Sequence, residues 1–122
     1  MSMNMHKART LDAGLDAESA AARFLEARGL VVVERNHRSR FGEIDLVMKD
    51  GATLVFVEVR LRRSTAYGGA AASIDFRKQQ KLLKTARHYL GRLVREPKCR
   101  FDAVLLDAVE GSRIEWLKDV LA

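Results

Sequence analysis

The amino-acid sequence predicts a mixed α/β domain: a five-stranded sheet flanked by two helices, in the order α-β-β-β-α-β-β. Three observations predict it. An apolar stripe at helical spacing ends on Gly29, two alternating runs flank Asp50-Gly51, and a longer amphipathic run precedes two short β-rich segments.

The first helix is expected over Asp12–Arg28, where Ala17, Ala21, Phe24, Leu25 and Arg28 recur on one side and Gly29 supplies the C-terminal stop. The β-branched run Leu30–Glu34 reads as the first strand. Gly42–Lys49 and Thr53–Leu61 read as two more, joined at Asp50-Gly51, a strong hairpin signal. A loop carrying Tyr67-Gly68-Gly69 follows Arg63, and Tyr67 there is a candidate for stacking on a base. The second helix is expected over Ser73–Val94, capped by Ser73 or Asp75, with Ile74, Leu82, Ala86, Leu90 and Leu93 as its buried stripe. Phe101–Asp107 and Arg113–Leu117 are the last two strands. Residues 1–11 read as a poorly ordered tail and residues 12–122 as a single domain.

A chain of 122 residues with 48% hydrophobic side chains and one proline can bury roughly two-thirds of its unfolded surface. The polar opening Met1–Lys7 has no apolar stretch behind it, and no apolar run approaches the roughly 18 residues of a membrane span. Cys99 is the single cysteine, so no internal disulfide forms, and a reducing, cytoplasmic setting is expected. Three histidines with one cysteine argue against a Cys/His zinc site. Cys99 and Trp116 read as packing residues, and Asp102 as an anchor for an arginine or a backbone group.

The net charge of +6 is unevenly distributed. Between Arg35 and Arg100 there are 16 Lys/Arg against 6 Asp/Glu, and the rest of the chain holds 6 against 10. Positive potential concentrated in this way suits a polyanion such as a phosphate backbone, so nucleic acid is the expected partner.

Inside that basic segment sit Glu43, Asp45 and Glu58, half of its six acids. Strand alternation puts Val55, Val57, Val59 and Leu61 on one face, and Leu54, Phe56, Glu58, Arg60 and Arg62 on the other. In the preceding strand Ile44, Leu46 and Met48 are expected on one face, with Glu43, Asp45 and Val47 opposite. A two-residue turn at Asp50-Gly51 would set Glu43 opposite Glu58, whereas a four-residue loop from Asp50 to Thr53 would set Asp45 there. Either even-length loop gathers the acids on one face, and an odd length scatters them. Paired carboxylates at about 4.5–5.5 Å suit a divalent cation with oxygen ligands. Such an ion, Mg²⁺ or Mn²⁺, serves phosphodiester hydrolysis by polarising the phosphate and activating water. Arg60, two residues beyond Glu58, is placed to stabilise charge on the phosphate. An ordinary ion pair within the sheet is the alternative for the same residues.

The segments Gly42-Glu43-Ile44-Asp45-Leu46-Val47, Phe56-Val57-Glu58-Val59-Arg60, Ser73-Ile74 with Lys78-Gln79 and Lys81-Leu82, and Arg100-Phe101-Asp102 resemble the YraN family, from about Gly14 to Leu117. These bacterial proteins are restriction-endonuclease-like and similar to archaeal Holliday-junction resolvases. The resemblance implies the PD-(D/E)xK nuclease pattern, with Asp45 and Glu58 as metal-binding acids. Glu18 resembles the helical glutamate of the resolvases. It also implies a homodimer, because resolvases cut symmetric junctions as dimers. Where the pattern has lysine after the glutamate, this chain has Arg60, which cannot be deprotonated.

The expected protein is thus a Mg²⁺- or Mn²⁺-dependent nuclease or nuclease-like protein acting on DNA, branched or damaged. Catalytic residues would be Asp45, Glu58, Arg60 and Glu18, with Glu43 as a further metal ligand. Arg40, Arg62, Arg63, Lys78 and Lys81 would contact nucleic acid, and Lys78, near the start of the second helix, is placed to face the site. Arg77, Lys81, Lys84 and His88 make a basic stripe on the second helix. The alternatives are a catalytically inactive nucleic-acid-binding module and a protein-interaction adaptor on the same fold.

Overall fold

Strands that are apolar on both sides demand cover on both sides, and two helices supply it. A computed structural model of the chain describes residues 17–62, 76–107 and 113–121. Residues 17–26 form helix α1. There follow β1 (Val31–Ser39), β2 (Gly42–Asp50), β3 (Thr53–Arg62), helix α2 (Phe76–Leu90), β4 (Cys99–Asp107) and β5 (Ile114–Leu117). This is the expected order. The sheet runs β1-β2-β3-β4-β5. Every neighbouring pair is antiparallel except β3 and β4, which are parallel and joined through α2. No helix among the described residues is long and apolar enough to cross a membrane. The tail 1–11, Arg63, Tyr67-Gly68-Gly69 and the capping and stripe residues Ser73, Ile74 and Asp75 lie outside the described residues.

Helix α1 presents small side chains, Ala17, Ala21 and Ala22, with Leu25, to Leu46, Met48, Val55, Val57 and Val104. Leu25 is fully buried, worth about 1.5–3 kcal/mol. The helix stops as expected at Gly29. The Leu30 amide reaches back to the Leu25 carbonyl at 3.1 Å and the Gly29 amide to that of Glu26 at 3.0 Å. Gly29 takes the left-handed conformation at φ 98° that this C-terminal motif needs. On the other face α2 packs Leu82, Ala86 and Tyr89 against Ile44, Val47, Leu54 and Phe56.

Several boundaries differ from expectation. β1 continues past Glu34 to Ser39, because pairing with β2 supplies partners to a stretch whose own residues are polar. α2 ends at Leu90 rather than Val94. Tight amide-to-carbonyl turns from Arg92 to Tyr89 and from Leu93 to Leu90 unwind it there. Leu93 is therefore 39% exposed and Val94 fully so, while Tyr89 takes the core position. Cys99 is an exposed free thiol at the start of β4, not a packing residue. Asp102 is the anchor expected of it. It is buried and accepts hydrogen bonds from Arg100 Nε (3.0 Å), Trp116 Nε1 (2.9 Å) and the Asp119 amide (3.0 Å). Arg100 extends the network to Asp50 at 3.0 Å.

The register of β2 and β3 is that of the four-residue loop. Lys49 pairs with Leu54, and Asp50 with Thr53 also pair, so Gly51-Ala52 make the turn. Gly51 has φ 61°, as a glycine in the first central position of a hairpin turn permits. The β3 faces are as expected, with Val55 and Val57 toward α1 and Leu54 and Phe56 toward α2.

The β2 faces are not. Leu46 and Met48 pack with α1, but Ile44 packs with Val47 on the α2 side. β1 changes faces at the same level. Arg35 reaches Ser19 of α1 at 3.2 Å, whereas His37, two residues on, packs edge-on against Tyr89 of α2. Between them Asn36 has φ 51°, a left-handed backbone that asparagine tolerates better than most residues. It rotates the remaining hairpin by one face. Asn36→Gly should therefore retain stability, whereas Asn36→Val should lose about 1–2 kcal/mol. Urea unfolding of the two variants checks this, and equal losses would contradict it.

Candidate active site

The site follows from that rotation. β2 and β3 stay paired only as far as Leu46 opposite Val57. At the next position Asp45 faces Glu58, and the Asp45 side chain takes over from the ladder. Its Oδ2 accepts a hydrogen bond from the Val59 amide at 2.8 Å. Beyond this point the β1–β2 hairpin leaves β3 and leans on α2, and a pocket of about 380 Å³ opens. Both helices reach it. α1 supplies Ala17 and Glu18, β2 supplies Glu43 and Asp45, β3 supplies residues 58–61, and α2 supplies Lys78.

Of the residues expected in catalysis, Asp45, Glu58, Arg60 and Glu18 all line this pocket, as does Glu43. Asp45 and Glu58 both line it, close enough for each to shift the other's pKa. Burial pushes the Asp45 carboxyl up to about 7; the Glu58 charge adds to this, the Val59 amide opposes it, and Glu18 and Glu43 add smaller increments. Burial also raises Glu58, while Arg60 and the hydrogen bond from Asp45 pull it down. The charge of one acid opposes ionisation of the other, so the two titrate as a pair. Glu43 stands farther out, exposed and paired with Arg38 at 3.3 Å.

Two cations answer the acids. Arg60 Nε lies 3.1 Å from Glu58 Oε2, yet its N–H is turned out of line, so this buried donor makes no hydrogen bond. Lys78, expected among the nucleic-acid contacts, comes from the first turns of α2 to form an ion pair with Glu58 Oε2. It belongs to the pocket itself. Arg40 and Lys81 are exposed outside the pocket, at the β1–β2 turn and on α2. Arg62 ends β3, and Arg63 is outside the described residues.

Sequence reasoning did not find the Val59 amide or Asn36. The amide has no residue-type signature. Asn36 carries one, an asparagine between strand-like segments, but its effect depends on what stands opposite.

The donor set bears on which metal would fit. Among the described residues no three His, Cys, Asp or Glu side chains converge as a ready ligand cluster. A closed Cys/His-type site is therefore not present among them. Mg²⁺ is commonly bound through one or two carboxylates with waters completing its shell, and Asp45 with Glu58 fits that requirement. The Arg60 Nε, close to Glu58 but out of line with it, leaves the charge of that acid incompletely answered.

Fold and site together define an α/β domain whose central hairpin opens onto a carboxylate pair flanked by two cations. The chain belongs to the UPF0102 family. It matches the model described as "Uncharacterised protein family UPF0102" over residues 17–106, as the YraN-like motifs led us to expect. It is similar to a UPF0102 protein of Methylobacillus flagellatus, 57% identical across 89% of this chain and 96% of that protein. A UPF0102 protein of Nitrosospira multiformis is 56% identical across 87% and 89%. One from Ralstonia pickettii is 51% identical across 94% and 95%. The matched region contains every acid and cation of the pocket.

The raised Asp45 carboxyl has a consequence for stability. The folded protein keeps a proton that the unfolded chain releases above about pH 4. Its stabilising contribution is complete below that pH and is lost as pH rises through about 7. Metal-free wild type should thus lose stability over this range relative to Asp45→Asn, by at most about 1.4 kcal/mol per pH unit. Thermal unfolding at several pH values measures the difference, and parallel curves would refute the raised Asp45 carboxyl.

Proposed function

We propose that this protein is a divalent-metal-dependent nuclease-like protein of the restriction-endonuclease-like kind, acting on DNA that is branched or damaged. The observation that carries the reading is the convergence of Asp45, Glu58, Arg60 and Lys78 in one pocket. An anionic floor with cations on its wall suits a phosphodiester and a metal together. Neither cation alone would be held there so closely without a buried charge to answer.

Asp45 and Glu58 would hold Mg²⁺ or Mn²⁺, with Glu18 and Glu43 near its water shell. When bound, the ion would polarise the scissile phosphate and lower the pKa of an attacking water. The chain's own residues supply the rest. The Val59 amide fixes the Asp45 carboxylate in orientation. Arg60 lines the pocket with a guanidinium that, being permanently charged, would steady the negative charge developing on a phosphate there. Lys78 brings a compact ammonium on a flexible stem, which differs from the planar Arg60 fork. Its pairing with Glu58 supports a role in orienting water and neutralising charge beside the acids. In this reading the lysine absent from β3 is replaced by one from α2.

Arg60 favours one rival, a binding module that has lost cleavage while keeping its grip on phosphate. Four-way, flapped, linear duplex and single-stranded DNA incubated with Mg²⁺ or Mn²⁺ separates the two. We expect cleavage that falls about 10²–10⁴-fold in Asp45→Asn or Glu58→Gln, and about 10²-fold in Lys78→Met. Salt-sensitive binding without cleavage of any substrate would support the binding module instead. Absence of both would leave the adaptor role.

A further inference from the structure

Outside the pocket, an aromatic residue stands among cations at the tip of the β1–β2 hairpin. Ser39 pairs with Gly42, so Arg40 and Phe41 form the turn. The Ser39 hydroxyl accepts from the Phe41 amide at 3.1 Å and fixes the turn's shape. Phe41 is half-buried. Its ring lies 5.5 Å from that of His88 on α2, and the Arg40 guanidinium lies 4.9 Å above it. The tip is seated firmly on the helix. A Cβ added to Gly42 would meet Thr85 Oγ1 at 3.1 Å and Lys81 Cβ at 3.9 Å. Hairpin tip and helix therefore share one surface.

That surface leads to the pocket. Lys78, Lys81, Thr85 and His88 succeed one another along α2 at the three- and four-residue steps that align on one side of a helix, over about 15 Å. From Phe41 at the turn to Asp45 in β2, four strand steps span about 13 Å. Lys81, His88, Arg40 and Arg38 are exposed. Glu43, an exposed acid on the same hairpin, is paired with Arg38.

We propose that this surface is a track for an unpaired nucleic-acid strand. Lys81 and Arg40 hold its phosphates, and Phe41 with the overlying Arg40 plane stacks a base a few nucleotides from the acid pair. Stacking suits an unpaired base because every base offers a π-face, whereas the bases of a continuous duplex are already stacked on one another. Arg40 serves both parts, as a planar cation that stacks and binds phosphate. The substrate class is thus nucleic acid with a single-stranded segment, such as a flap or a branch. The proposal rests on the nucleic-acid reading above.

The test is binding without cleavage, in EDTA and at low salt, with full-length protein. One probe is a single strand carrying 2-aminopurine, whose fluorescence is quenched by stacking. A flapped duplex and a blunt duplex are the other two. Phe41→Ala should weaken the single-strand and flap complexes by about 5- to 100-fold and abolish quenching, leaving the blunt duplex unchanged. Phe41→Tyr should behave as wild type. Phe41→Leu, which keeps apolar packing against α2, should lose quenching as Phe41→Ala does. Equal weakening of all three probes, or wild-type behaviour in Phe41→Leu, would overturn the stacking track while leaving nucleic-acid binding intact. No binding of any probe by the wild type would instead overturn the underlying reading as well as the track.

Discussion

The hydrogen bond from the Val59 amide to Asp45 Oδ2 is the contact on which the pocket depends. An antiparallel ladder normally satisfies each inward amide with a carbonyl across the way. Here a side chain does so, one position beyond the last regular pair of β2 and β3. β2 is then free to depart without leaving a buried amide unpaired, and its departure makes room between the strands. β3 loses nothing by this, because its other edge stays paired with β4 as far as Arg62 opposite Asp107. The opening thus sits in the middle of the sheet, flanked by helices on both faces, with rigid backbone on one side.

Two aspartates, one buried and one partly exposed, show how environment separates support from chemistry. Asp102 receives donors from Arg100, Trp116 and the Asp119 amide, and it ties the C-terminal segment to β4 and to the β2–β3 turn through Asp50. Both of its oxygens are answered. Asp45 has one amide donor and faces another carboxylate, with two more acids near enough to raise its pKa. Crowding acids in this way costs stability, since like charges in a poorly solvated site oppose each other. Such crowding is characteristic of sites that bind a cation or move a proton.

Much of this was legible in the chain. The order of the elements followed from Gly29, Asp50-Gly51 and the two periodic stripes, all local features whose physics is independent of distant contacts. The meeting of Asp45 with Glu58 was one of two registers that the hairpin allowed. Which one formed depended on whether Gly51-Ala52 or Asp50-Gly51 occupied the turn, a difference of one residue that propensity does not resolve. The displacement of Ile44 from the face of Leu46 was not legible, because strict alternation assumes a regular strand and Asn36 breaks it. The place of Lys78 was visible only as proximity to a helix start. Its pairing with Glu58 is a tertiary contact, set by how α2 docks.

That docking is governed by a small feature. Gly42 combines φ 144° with an approach to Thr85 that leaves little room for a side chain. Thr85 is itself buried, with its hydroxyl turned to the Lys81 carbonyl at 2.8 Å. The hairpin can thus lie flat on α2 only where glycine meets this small, inward-turned residue. The same meeting sets the height of α2 along the sheet, and with it the level at which Lys78, two helical turns earlier, reaches Glu58. A strand-borne cation such as Arg60 is fixed to its acid by covalent spacing, whatever the helix does. A helix-borne one depends on the tertiary fit, so the pocket gains its lysine only when hairpin and helix are correctly packed. The charge arrangement at the acids is therefore a property of the assembled domain rather than of any single motif.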